Sequence, residues 1–183
     1  IPWKRARRRR EPVRTPSEGA PRRRGPVRRI LMAFGGTDPG GHTLRALRAL
    51  NSAGLAGLAM DVVLGEGAEG LEEIRNFCAA HPAIRLHCQT DAMANLMDQA
   101  DLYVGAGGTV TWERSLLGLT GVVLSVARNQ EEVAEHLQDL GAHVYLGDAD
   151  GVSPARLRDS VADLIARSDR LRDMSARCLD MMR

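Results

Sequence analysis

The sequence predicts an α/β fold, an open parallel sheet of about six strands covered on both faces by helices. Three observations predict it. Short apolar runs of strand length recur along the chain with little polar alternation, as strands buried on both faces require. Segments with apolar residues at helical spacing separate these runs. Glycine-rich stretches follow two of the strands, at Gly35-Gly36 and at Gly105-Ala106-Gly107-Gly108. Strand and helix alternate as six β-α units, with no internal repeat beyond that rhythm.

Taken in order, Ile30–Phe34 is a continuous apolar strand, and Thr43–Ser52 carries Leu44, Ala46, Leu47 and Leu50 on one helical face. Met60–Leu64 is the second strand, and 68–80 the second helix, with Leu71, Ile74 and Phe77 together. A short strand at Ala83–Cys88 precedes a helix capped by Asp91 and running through Ala100, with Met93, Leu96 and Met97 inward. Asp101–Val104 is the fourth strand, and Thr109 starts a helix closed by Gly118. Gly121–Val126 is a strand, Gln130–Leu140 a helix stopped by Gly141, and His143–Leu146 the last strand. Ser153 and Pro154 suit the cap and first turn of a helix through Arg167, and a final helix covers Asp169–Met182. Met174, Met181 and Met182 fall on this last helix, as packing residues.

The 183 residues, 44% hydrophobic and 26% charged, suffice for one domain with a real core. The net charge of +2 hides an asymmetry. Residues 1–29 hold 12 Lys or Arg against Glu11 and Glu18, a net of +10, whereas residues 30–183 hold 13 basic and 21 acidic side chains, a net of −8. Five prolines and two arginine runs leave 1–29 with almost no periodic apolar residues, so it reads as a linker or arm. An alternative is a non-catalytic binding module whose basic arm docks on an acidic partner, a membrane surface or RNA. With only Trp3 able to stack on a base, nucleic acid is not the expected partner. The mildly acidic remainder offers no basic face either. No apolar run reaches transmembrane length and no leader pattern follows Ile1, while the lack of an initial Met suggests a piece of a longer protein. Cys78, Cys88 and Cys178 form no C-x-x-C pair, which excludes a disulfide scaffold and fits a reducing, cytoplasmic setting.

Ligands of open parallel sheets sit at the carboxyl ends of the strands. The first glycine loop, Phe34 to Gly41, lets backbone N–H groups approach an anion and precedes a helix that offers its positive end. It is neither a P-loop nor G-x-G-x-x-G, and a plain tight turn accounts for it equally well. The second, Gly105 to Thr109, enters a helix whose free N–H groups suit a second portion of a phosphate. Glu113 lies one turn further on, where a carboxylate can accept bonds from vicinal ribose hydroxyls or serve as a charge at the positive helix end. His42 reads as a surface residue at a helix start. The remaining histidines, His81, His87, His136 and His143, show no metal spacing, and a strand sends His87 and Cys88 to opposite faces. No metal is expected, and no G-x-S-x-G elbow is present.

The strings Ile30-Leu31-Met32-Ala33-Phe34-Gly35-Gly36-Thr37-Asp38-Pro39-Gly40, Asp101 through Gly105-Ala106-Gly107-Gly108 to Trp112-Glu113-Arg114, and Asn129-Gln130 resemble a known family. They are similar to the C-terminal half of the UDP-sugar hydrolases of pseudaminic acid biosynthesis. Those enzymes group with spore-coat polysaccharide proteins and the wider GT-B family. The resemblance covers about residues 28–180. It implies two Rossmann-like halves facing each other, of which this three-layer domain, residues 30–183, holds the UDP-sugar. Gly35, Gly36 and Thr37 would then lie beside the diphosphate, and Gly107, Gly108 and Thr109 would cradle it. Glu113 would bind the ribose, and Asn129 would reach the sugar or phosphate side. In that family water attacks the anomeric carbon with inversion, without metal or cofactor, and a histidine of the N-terminal half is the base. That half is absent from this sequence, so no catalytic residue is expected in it and the N-terminal half is an implied partner. A 2,4-diacetamido-2,4,6-trideoxyhexose nucleotide is the implied substrate. A GT-B glycosyltransferase, passing the sugar to another acceptor, is the alternative.

Overall fold

A computed structural model describes residues 25–183 apart from 53, 54 and 56; most of the arginine-rich arm therefore lies outside the described residues. Six strands follow in order: β1 (Arg29–Ala33), β2 (Ala59–Leu64), β3 (Ile84–Cys88), β4 (Leu102–Ala106), β5 (Gly121–Ser125) and β6 (Val144–Asp148). The helices are α1 (His42–Leu50), α2 (Leu71–Ala79), α3 (Met93–Gln99), α4 (Val110–Leu116), α5 (Glu131–Asp139), α6 (Pro154–Ala166) and α7 (Ser168–Met181). Every strand pairing is parallel, in the order β3-β2-β1-β4-β5-β6. The predicted fold class is the one observed.

Alternation along β1 explains the three layers. Ile30 and Met32 enter one apolar cluster with residues of α1, α2 and α6, while Leu31 and Ala33 enter another with residues of α3, α4 and α5. Helix α7 joins the two sides: Leu171 and Met174 pack in the first cluster, and Cys178 packs on Leu137 and Ala142. Ser153 caps α6 by accepting the Arg156 N–H at 3.2 Å, with Pro154 in the first turn, as its sequence predicts.

Three local expectations are corrected. The folded chain starts earlier than residue 30, because Val27 is in the core and the Arg28 and Arg29 N–H groups donate to Asp101 Oδ2, each at 2.9 Å. Asp91 does not cap α3. The cap position is Ala92, whose N–H is taken by Thr90 Oγ1 at 3.1 Å. Gly105 and Ala106 belong to β4 rather than to the loop after it. A Cβ on Gly105 would lie 2.0 Å from the Ala33 carbonyl oxygen, so glycine here permits close strand approach and does not mark a turn.

Candidate functional site

The strand order reverses between β1 and β4, which leaves the loops after these strands facing each other across a crevice. A cleft of about 460 Å³ opens there, lined by Gly35 and Gly36 after β1, Gly108 and Thr109 after β4, and Gln130 after β5. Gln89, Thr90, Asp91 and Met93, beyond β3, close its far wall. The two glycine loops singled out in the sequence thus border one cavity.

In the first loop Gly35 takes a φ of 108°, which only glycine adopts without strain. The Gly36 carbonyl accepts the Gly65 N–H at 2.8 Å, and the Thr37 carbonyl accepts that of Glu69 at 2.9 Å. These bonds turn the carbonyls of Gly36 and Thr37 toward the β2 loop. The N–H groups of Gly35, Gly36 and Thr37 have no acceptor among the described residues. Thr37 is exposed and stands outside the cleft lining.

Helix α1 does not offer its positive end, contrary to expectation. Asp38 is fully buried at φ 43° and folds back over it: Oδ1 accepts the His42 N–H at 3.2 Å and Oδ2 the Thr43 N–H at 2.9 Å. A carboxylate already satisfies these donors. His42 is also not a surface residue. Its side chain is buried beneath the loop, 6.1 Å from the Phe34 ring between centroids.

The second loop divides its glycines between two tasks. The Gly107 N–H donates to the Leu124 carbonyl at 3.0 Å, and a Cβ there would meet Val123 Cγ1 at 3.2 Å. Gly107 therefore serves close packing and has no N–H to give an anion. The next three N–H groups, of Gly108, Thr109 and Val110, find no acceptor among the described residues. Six free N–H groups on or beside the rim, of Gly35, Gly36, Thr37, Gly108, Thr109 and Val110, are suited to the oxygens of an anion.

Gln130, and not the expected Asn129 beside it, lines the cleft. Its Oε1 accepts the Val126 N–H at 3.0 Å, which holds the side chain across the cleft mouth near Gly108. Asn129 lies exposed in the 3₁₀ turn Arg128–Gln130 and does not line the cavity. Glu113 stands exposed in the first turn of α4, outside the lining but one turn from Thr109.

Behind the cleft a buried polar chain supports it. The Tyr103 hydroxyl shares its proton between the carbonyls of Ala33 (2.8 Å) and Ala106 (3.0 Å), the last residues of β1 and β4. Arg114, fully buried, lies over the Tyr103 ring at 5.3 Å and donates to the Leu119 carbonyl (3.1 Å) and to His143 Nδ1 (2.7 Å). A guanidinium only donates, so His143 must accept at Nδ1 and carry its proton on Nε2, which donates to the Ala134 carbonyl at 2.9 Å. Burial, the nearby Arg114 charge and that neutral tautomer go together: the His143 pKa is pushed down to about 3, by desolvation first and Arg114 second. Burial likewise pushes Tyr103 up and Arg114 down from their ordinary values.

A pH dependence follows. In the unfolded chain His143 titrates near 6.5. Between about pH 6.5 and 3 the unfolded state binds a proton that the native state refuses, so stability falls as pH falls through that window and is unaffected above it. Urea unfolding at pH 7 and pH 5 is expected to show about 2 kcal/mol of loss due to this residue. His143→Gln should remove that share of the slope; an identical slope in the variant would contradict the assignment.

His87 has a partner of a different kind. Asp61, buried on β2, accepts from Arg29 and His87 at 2.7 Å each, an ion cluster that ties β1, β2 and β3 together. Among the described residues no group of three His, Cys, Asp or Glu side chains is placed to hold a metal ion, and no helix is long and apolar enough to cross a membrane.

No family model matches the sequence. Over 121 residues the chain is 33% identical to the spore coat polysaccharide biosynthesis protein SpsG of Bacillus subtilis, a match that covers 66% of this chain and 36% of that protein. The structure superposes on the spinosyn rhamnosyltransferase SpnG complexed with thymidine diphosphate, with a TM-score of 0.66, 19% identity and coverage of 87% of this chain and 42% of that one. It superposes on HepE of Anabaena in complex with UDP-glucose, with a TM-score of 0.60, 16% identity and coverage of 84% and 43%. This is the fold of a GT-B half-domain. The chain spans about a third of SpsG and little more than two fifths of either solved structure.

Proposed function

We propose that the cleft holds the nucleoside diphosphate of an activated sugar, and that the chain is the donor-binding half of a longer polysaccharide-biosynthesis enzyme. The observation that carries this reading is the convergence of two glycine loops, with free N–H groups, on one cavity at the switch point of the sheet. Gly35, Gly36 and Thr37 on one side and Gly108 and Thr109 on the other donate to phosphate oxygens without a metal. Gly107 lets the loop pack close to β5. Glu113 takes the ribose hydroxyls, and Gln130, with Asn129 beside it, faces the sugar. The similarity to SpsG and the nucleotides named with SpnG and HepE support a nucleotide-sugar ligand.

Within that reading the reaction is hydrolysis with inversion. Water adds to the anomeric carbon, the bond to the β-phosphate oxygen breaks, and UDP leaves stabilised by the backbone donors. The base that removes the water proton belongs to the other half of the enzyme. A diacetamido-trideoxyhexose for nonulosonate synthesis is the substrate that the sequence resemblance favours. The fold shared with the rhamnosyltransferase SpnG favours a second reading, in which a hydroxyl of an acceptor replaces water at the same half-site. Product analysis of the longer enzyme, with and without acceptors, separates the two: free sugar and UDP support hydrolysis.

Calorimetric titration of UDP into this chain tests the shared claim. Gly36 carries no positive φ and a Cβ there meets nothing within 4 Å, so Gly36→Asp fits the fold and places a negative charge among the phosphate donors. Metal-independent binding is expected, weakened at least about tenfold by the substitution, or about 1.4 kcal/mol. Equal affinity in the variant would contradict an anion site at this loop.

A further inference from the structure

We propose that Tyr103 is a positioning residue that sets the spacing of the two glycine loops; this rests on the reading of the cleft as a diphosphate site. Each loop begins immediately after a carbonyl that its hydroxyl holds, Ala33 at the end of β1 and Ala106 at the end of β4. Both residues also line the cleft, so the hydroxyl is a clamp across its floor. Gly105 makes the clamp possible, since a Cβ there would stand 2.7 Å from the Tyr103 oxygen.

The clamp is held from behind. Arg114 bears on the Tyr103 ring and is fixed in turn by Leu119, in the turn between α4 and β5, and by His143, which is anchored to α5 through Ala134. Nothing in this chain of contacts is needed to fill space alone: a phenylalanine would fill the position of the ring. The hydroxyl adds a link between two strands whose ends must stay in register for donors on both loops to reach one diphosphate. A preorganised pair of loops binds without a reordering cost.

Tyr103→Phe removes the link and keeps the ring. Two measurements on the purified chain read the result, UDP affinity at a temperature well below unfolding and the backbone amide resonances of Gly35, Gly36, Gly107 and Gly108 without ligand. Affinity lower by about tenfold together with displaced amide resonances is the expected outcome. A purely structural hydroxyl would lower the melting temperature while leaving affinity and those resonances unchanged, and that result overturns the proposal. If the wild type itself does not bind UDP, the reading of the site fails. The ligand-free resonances then decide the clamp separately, displaced if it exists and unmoved if it does not. Should the phenylalanine variant fail to fold, 4-fluorophenylalanine at position 103, which fills the place of the hydroxyl but cannot donate, is judged by the same two measurements.

Discussion

Replacing Gly105 by alanine is expected to destabilise the protein by about 4 kcal/mol, a large part of the 5–15 kcal/mol that holds an ordinary domain folded. The added Cβ would be 2.0 Å from the Ala33 carbonyl oxygen and 2.7 Å from the Tyr103 hydroxyl. Neither neighbour is the free end of a flexible chain. The carbonyl is backbone of the adjacent strand, and the hydroxyl ends a rigid ring that is completely buried. Relief requires β1 and β4 to part at the point where the sheet order reverses. Urea unfolding measures the loss directly; a change below 1 kcal/mol would show that the strands can part cheaply and that their close approach is incidental. Gly36→Ala, with open space around its Cβ, is the matched control and is expected to be nearly silent.

Arg114→Ala should cost about 3 kcal/mol, and the size of that number comes from opposed contributions. Truncation empties a large fully buried volume and leaves the Leu119 carbonyl and His143 Nδ1 without their donor. Against this, no carboxylate is bonded to Arg114 among the described residues, so its removal also relieves the desolvation of a charge. Arg114→Met restores most of the volume without the charge and is therefore expected to lie within about 1 kcal/mol of wild type. Equal losses for the two variants in parallel unfolding curves would mean that hydrogen bonds, not packing, dominate.

The fold was legible because both faces of the sheet are covered. Strands such as Ile30–Phe34 and the Val122–Leu124 stretch then become unbroken apolar runs, and helices between them keep a one-sided stripe. Edges slipped where one residue type serves two ends. Gly105 suggests a turn by composition, yet its missing Cβ is used inside a strand. Asp38 stands four residues before the first helical residue, so no cap rule places it there. Only a backbone with left-handed turns at Asp38, Gly40 and Gly41 brings its carboxylate onto the start of α1. The two glycine loops were visible as motifs, and the strand order makes them neighbours. The chain from Tyr103 through Arg114 to His143 was invisible, since it joins β4, α4 and the bend before β6 by contacts that exist only after folding. Gln130 was hidden differently: its sequence signal was present, and only the turn at Arg128–Gln130 decides that it, rather than Asn129, meets the cleft.

The central claim is that both glycine loops grip one nucleoside diphosphate. Titrating UDP into the ¹⁵N-labelled chain and following the backbone amides tests it most directly. The amides of Gly35, Gly36, Gly108 and Thr109 are expected to move together and saturate at one dissociation constant, while that of Gly107, already bonded to Leu124, moves less. No movement at these amides under excess UDP, or movement confined to one loop, would contradict it.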